Sequence, residues 1–121
     1  SGSVLVVDDD AHVLEFMEEL LRDWGLEVQA CRDPQHALAG VASGEISFDW
    51  AILDQTMPGM SGLELSRRLC DVLPDPRILL YTGYSNQISE VAGAESGVRE
   101  LLHKPLDHAR LLRLLSDTLA R

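Results

Sequence analysis

Val4-Leu5-Val6-Val7-Asp8-Asp9-Asp10 decides the reading: a short apolar run rich in valine ends abruptly in three carboxylates. Such a run fits a strand buried on both faces, the kind found in parallel sheets. Beyond it, Val13, Leu14, Met17, Leu20, Leu21 and Trp24 recur at helical spacing, with Glu15, Glu18, Glu19 and Asp23 largely elsewhere. Gly25 stops that helix. A strand, an acidic turn and an amphipathic helix therefore follow one another within the first 25 residues.

The same alternation continues to the end of the chain. Leu26 to Ala30 reads as a weaker second strand, and Asp33-Pro34 starts a helix, with Asp as N-cap and Pro at the first helical position. That helix runs to about Ser43 and closes at Gly44. Trp50-Ala51-Ile52-Leu53 is a strand ending at Asp54, followed by the turn Met57-Pro58-Gly59-Met60-Ser61-Gly62. A third helix carries Leu63, Leu65, Leu69 and Val72 before Pro74 and Pro76 break the chain. Ile78-Leu79-Leu80-Tyr81 is a strand ending at Thr82-Gly83. A weak helix spans roughly 86–95, with Gly93 inside it. Val98 to His103 is the last strand and ends at Lys104-Pro105, after which Asp107 caps a helix carrying Leu111, Leu112, Leu114, Leu115 and Leu119. Five strands alternating with five helices imply an α/β fold with a parallel sheet covered on both sides.

Composition bounds the function. At 121 residues, 45% of them apolar, the chain is one domain able to bury a real core. Ser1-Gly2-Ser3 reads as a leftover of cloning, so residues 4–121 form the domain. Apolar runs are too short to cross a membrane. Net charge is −10, which argues against direct nucleic-acid contact. Cys31 and Cys70 lack ligand spacing and read as two reduced thiols. The four histidines, His12, His36, His103 and His108, are scattered and read as surface or packing residues.

The informative feature is where the strands end. Four of them terminate in Asp8-Asp9, Asp54, Thr82 and Lys104, and in an open parallel sheet those carboxyl ends share one edge, where ligands bind. Taken singly, each has an ordinary explanation. An acidic triplet serves as a solvated turn and N-cap, a lone Asp starts a turn, and Thr-Gly and Lys-Pro are common strand exits. Their shared placement outweighs those explanations. Three clustered carboxylates repel unless a cation intervenes, and an all-oxygen donor set suits a hard ion, Mg²⁺ or Mn²⁺. An amine and a hydroxyl opposite would spread the charge of a transferred phosphoryl group. A carboxylate can be the nucleophile, and Asp54, alone at the end of a central strand, takes that role.

With these pieces in order, the sequence resembles the response regulator receiver domain family of two-component signalling over essentially its whole length. The resemblance rests on residues 4–10, on Asp54-Gln55-Thr56-Met57-Pro58-Gly59-Met60-Ser61-Gly62, on Tyr81-Thr82-Gly83 and on Lys104-Pro105. It implies a flavodoxin-like sheet of order 2-1-3-4-5. It also implies that Asp54 is phosphorylated, Asp9 binds magnesium directly, Asp8 binds it through water, and the Thr56 carbonyl completes the protein's share. Thr82 would be the hydroxyl that reorients onto the phosphoryl group, Lys104 its counter-charge, and Pro105 would follow a cis peptide. The donor implied is a histidine kinase or a histidine phosphotransfer domain. The domain would promote its own phosphorylation and slow dephosphorylation, without conventional turnover, in the cytoplasm or tethered to a membrane-bound sensor kinase.

Departures from the family pattern shape the expectations. Many receivers carry Tyr or Phe three residues before the lysine, where this chain has Leu101. Residues 79–85, with Thr82-Gly83-Tyr84, look like receivers of hybrid sensor kinases. An aspartate-nucleophile phosphatase would need a second Asp at position 56, where Thr56 stands, and a nucleotide-binding module would need a glycine-rich loop in place of Asp8-Asp9-Asp10. A degenerate receiver acting only as an interaction module is the remaining alternative. Oligomeric state is not encoded legibly. Tyr84, two residues past Thr82, can screen an acyl phosphate from water. Tyr84→Ala is therefore expected to shorten the phosphoryl lifetime, measured by loss of label with time, and an unchanged lifetime would remove that role.

Overall fold

The computed structural model describes residues 2–83 and 89–119. In chain order they form β1 (Ser3–Val7), α1 (Ala11–Asp23), β2 (Glu27–Cys31), α2 (Pro34–Ser43), β3 (Trp50–Asp54), α3 (Gly62–Val72), β4 (Ile78–Thr82), α4 (Glu90–Glu95), β5 (Glu100–His103) and α5 (His108–Leu119). All strand pairs are parallel, in one sheet of order β2-β1-β3-β4-β5. This is the doubly wound arrangement that the sequence implies. Tyr84 and the first residues of the fourth expected helix lie outside the described residues.

Side-chain alternation along the strands sorts the core into two layers. On one face Leu5, Val7, Leu53, Ile78 and Leu80 pack against α2 and α3 through Ala37, Val41, Leu65 and Leu69. On the other, Val4, Val6, Ile52 and Leu79 meet Leu14, Met17 and Leu21 of α1 and Leu111 and Leu115 of α5. The central strands β3 and β4 are buried along their whole length. That explains why they read as continuous apolar runs.

Two strands begin later than their hydrophobicity suggests, for one reason. Leu26 does not pair in the sheet; its N–H bonds the Leu21 carbonyl at 3.1 Å and Gly25 N–H bonds Arg22 at 2.9 Å, closing α1 in a Schellman turn around Gly25 at φ +91. Val98 does the same for α4, bonding the Gly93 carbonyl at 2.8 Å beyond Gly97 at φ +85. Apolar residues at these two positions serve helix closure. Val72 is 40% exposed: α3 ends there, and Leu73 leaves in an extended conformation and packs on the core. Leu112 also faces outward, whereas Leu111 and Leu115 are buried.

The caps follow the sequence. Asp33 accepts from Gln35 N–H, Pro34 opens α2, and Gly44 closes it in the left-handed conformation. Asp107 accepts from Arg110 N–H at 3.2 Å at the start of α5. Cys31 and Cys70 are both free thiols. No helix among the described residues is long and apolar enough to cross a membrane.

The turn after β3 is held from several directions. Ser61 accepts from Glu64 N–H at 3.1 Å, and Gln55 accepts Gly62 N–H on its backbone at 3.1 Å and Leu63 N–H on its side chain at 2.9 Å. Gly62 thereby lies against β3 so closely that a Cβ would sit 2.4 Å from the Asp54 carbonyl oxygen and 2.5 Å from Leu80 Cδ1. Gly62→Ala is expected to destabilise the fold by about 1–3 kcal/mol through overpacking. Urea denaturation checks this; an unchanged midpoint would show that α3 can retreat from β3 freely.

Candidate functional site

Strand register assembles the site. Val7 of β1 pairs with Leu53 of β3, so Asp8 and Asp54 follow side by side. Asp54 in turn pairs with Tyr81 of β4, and Thr82 with His103 of β5. Residues distant in sequence therefore meet at one edge because the strands are parallel and end at one level.

The acidic triplet divides its duties. Asp8 is buried, at 1% exposure, and its Oδ1 accepts the Asp10 N–H at 2.9 Å. Asp9 is half-buried. Asp10 is the N-cap of α1, accepting from His12 N–H at 2.9 Å and Val13 N–H at 3.3 Å. The ordinary N-cap explanation is thus right for Asp10 and leaves Asp8 and Asp9 to the site. Asp8, Asp9 and Asp54 each present a carboxylate oxygen within 4.8 Å of the others. Thr56 stands on the exposed turn two residues beyond Asp54.

Lys104 supplies the opposing charge, with Nζ 3.0 Å from Asp54 Oδ1. Lys104-Pro105 is a cis peptide. Thr82 is buried, and its Oγ1 lies 3.4 Å from His103 Nδ1. The Asp54 carboxyl is pushed above the usual carboxylate range. Burial is the main cause; the hydrogen bond from Lys104 opposes it, and the negative charge of Asp8 and Asp9 adds to it. A cluster of this kind, all oxygen and short of compensating charge, fits a small divalent cation, which would remove the repulsion.

These observations meet an independent one: residues 4–116 match the family described as response regulator receiver domain. The chain belongs to that family. This receiver domain is 35% identical to the transcriptional regulatory protein ZraR of Klebsiella oxytoca over 97% of its own length and 26% of that protein. It is 35% identical to the response regulator MprA of Mycolicibacterium vanbaalenii over 98% of its length and 50% of that protein. It thus spans a quarter to a half of these regulators. Among solved structures, a response regulator receiver domain protein from Clostridium thermocellum superposes with a TM-score of 0.89 at 25% identity, over 100% of this chain and 96% of that one. The response regulator TrrA of Thermotoga maritima, solved in complex with Mg²⁺-BeF, gives 0.84 at 28% identity, covering 97% and 98%.

Two receiver residues near the site escaped the sequence reading. Tyr81 read as a strand residue and as part of the Tyr81-Thr82-Gly83 match, with no role of its own at the site; it is 3% exposed, and its hydroxyl donates to Asp8 Oδ2. Burial first, then the hydrogen bond to Asp8 and the charges of Asp8, Asp54 and Asp10, raise its pKa well above that of a free phenol, so it remains a neutral donor. The usable signal was a tyrosine inside a buried aliphatic strand, since a buried phenol requires an acceptor. His103 read as a surface or packing residue and is exposed, yet its ring nitrogen reaches Thr82.

With burial and like charge outweighing Lys104 at Asp54, Asp54→Asn is expected to raise the thermal midpoint in chelator at neutral pH. Mg²⁺ should raise the midpoint of the unsubstituted receiver more than that of the variant. Scanning calorimetry measures both; a lower midpoint for the variant in chelator would mean that the Lys104 contact dominates.

Proposed function

We propose that this receiver domain, spanning residues 4–121, is a phosphoacceptor switch that takes a phosphoryl group from a phosphohistidine onto Asp54 in a Mg²⁺-dependent step. The observation that carries this reading is the Asp54 carboxylate, buried between two further carboxylates and 3.0 Å from the Lys104 ammonium. An Asp54 oxygen would attack phosphorus, forming the acyl phosphate as the bond from phosphorus to the donor's imidazole nitrogen breaks. That nitrogen keeps the bonding electron pair and later takes a proton from water.

The residues divide the remaining work. Asp8 and Asp9, Asp54 itself and the Thr56 carbonyl would hold the Mg²⁺, with Mn²⁺ a workable substitute. When bound, the ion neutralises phosphoryl oxygens and lowers carboxylate repulsion. Lys104 meets phosphoryl charge from the other side, and Thr82 would turn from His103 toward the new phosphoryl oxygens. Phosphoryl transfer needs positioning and charge compensation above all, and this edge offers both.

The donor would be a histidine kinase or a histidine phosphotransfer domain. An apolar hollow of about 350 Å³ beside Lys104, lined by Val13, Phe16, Met17, Tyr81, Pro105 and Leu106, suits its approach, and Phe16 is 48% exposed there. Output would pass to an attached domain or partner. The regulators named above make a transcriptional output the first choice, with DNA contact made elsewhere than on this domain of net charge −10. The receiver of a hybrid kinase is the second placement, supported by the residue 79–85 likeness. A cytoplasmic setting agrees with histidine kinase donors. The route of switching would not be an aromatic turn in β5, since Leu101 is aliphatic and already buried.

Incubation with acetyl phosphate and Mg²⁺, followed by intact-mass and peptide mass spectrometry, tests the reading. One phosphoryl group on Asp54 is expected, none without Mg²⁺, and none on a folded Asp54→Asn variant. Persistent label elsewhere would overturn the assignment. An unlabelled wild type would favour an interaction module without phosphotransfer.

A further inference from the structure

Tyr81 does more than fill space in β4. Its neighbours Leu79 and Leu80 are aliphatic and fully buried, and a core position of this kind takes an aliphatic side chain without difficulty. The phenol instead reaches across the end of the sheet, past its β3 partner Asp54, to the carboxylate that follows β1. Its hydroxyl donates to Asp8 Oδ2 while the Asp10 N–H holds Oδ1 at 2.9 Å. With both oxygens held, the carboxylate plane cannot turn. Each oxygen keeps a second lone pair, so acceptor capacity toward a cation or its water remains.

The ring of the same residue has a second neighbour. Lys104 Nζ lies 5.0 Å from the Tyr81 ring centroid, within cation–π range, while it is 3.0 Å from Asp54 Oδ1. Lys104 has a long, flexible stem whose side chain is 41% exposed, so a flat, electron-rich seat narrows its conformations. One buried side chain thus touches an acid that follows β1 and a base that follows β5.

We propose that Tyr81 is a positioning residue of the phosphoacceptor site, its hydroxyl orienting Asp8 for the divalent cation and its ring seating Lys104 against Asp54. The proposal rests on the phosphoacceptor reading above, and its two halves separate by substitution. Tyr81→Phe keeps the ring and removes the hydroxyl; Tyr81→Leu removes both. Mg²⁺ binding by isothermal titration calorimetry and the rate of acetyl phosphate labelling at saturating Mg²⁺ are the two readouts, with urea denaturation to confirm folding. Should the leucine variant unfold, Tyr81→Met takes its place.

The phenylalanine variant is expected to bind Mg²⁺ about three- to tenfold more weakly, the effect of one lost hydrogen bond, and to label faster at saturating Mg²⁺ than a variant that also lacks the ring. The leucine or methionine variant should share that weakening and also label several-fold more slowly at saturation. An unchanged or tighter Mg²⁺ affinity in Tyr81→Phe would overturn the hydroxyl's role. Equal saturated rates in both variants would overturn the ring's role. Lowered stability with wild-type affinity and rate would reduce Tyr81 to a core residue. If the wild type itself takes no label, the phosphoacceptor reading fails, while the Mg²⁺ titration of Tyr81→Phe still decides whether the hydroxyl serves a cation site.

Discussion

Crowding of like charge at one edge of a buried sheet is the constraint around which this molecule is organised. Asp8 and Asp54 are almost inaccessible, Asp9 stands beside them, and Lys104 is the cation among the described residues that reaches Asp54. Buried carboxylates without full compensation oppose folding, so the surrounding structure must hold them against their own repulsion. A divalent cation at this edge would relieve that repulsion.

The fold supplies the holding force through its two apolar layers. β3 and β4 are covered on both faces, and their buried leucines and isoleucines anchor the strands whose ends carry Asp54 and Thr82. Hydrogen bonds then set the connections. Gln55 ties the turn after β3 to the first turn of α3, Arg32 of the β2–α2 connection bonds the Asp9 carbonyl at 3.2 Å, and Asp10 caps α1. Each site residue therefore sits on a strand end or a closed turn, which keeps the charges near one another with little freedom to relax apart. Tyr81 extends that logic into the core, where an aliphatic strand gives up one position to a hydroxyl.

Much of this was legible in the chain. Asp33-Pro34 and Gly44 marked α2, Asp107 marked the start of α5, and the apolar runs before Asp8, Asp54 and Thr82 marked three strands with their exits. The starts of β2 and β5 were displaced because Leu26 and Val98 look like strand residues and act as helix closures.

By itself, then, the sequence determined the alternation of elements and the chemistry available at the strand ends, because local spacing and residue type are properties of the chain alone. Only the tertiary structure decided which groups touch. The register of β3 against β1 and β4 places Asp54 between Asp8 and Tyr81, and the pairing of β4 with β5 brings Thr82 to His103. Register depends on how distant segments pack, and a shift of one residue would turn every side chain of a strand to the other face. The Tyr81 bond to Asp8, which links positions 73 residues apart, could be found only there.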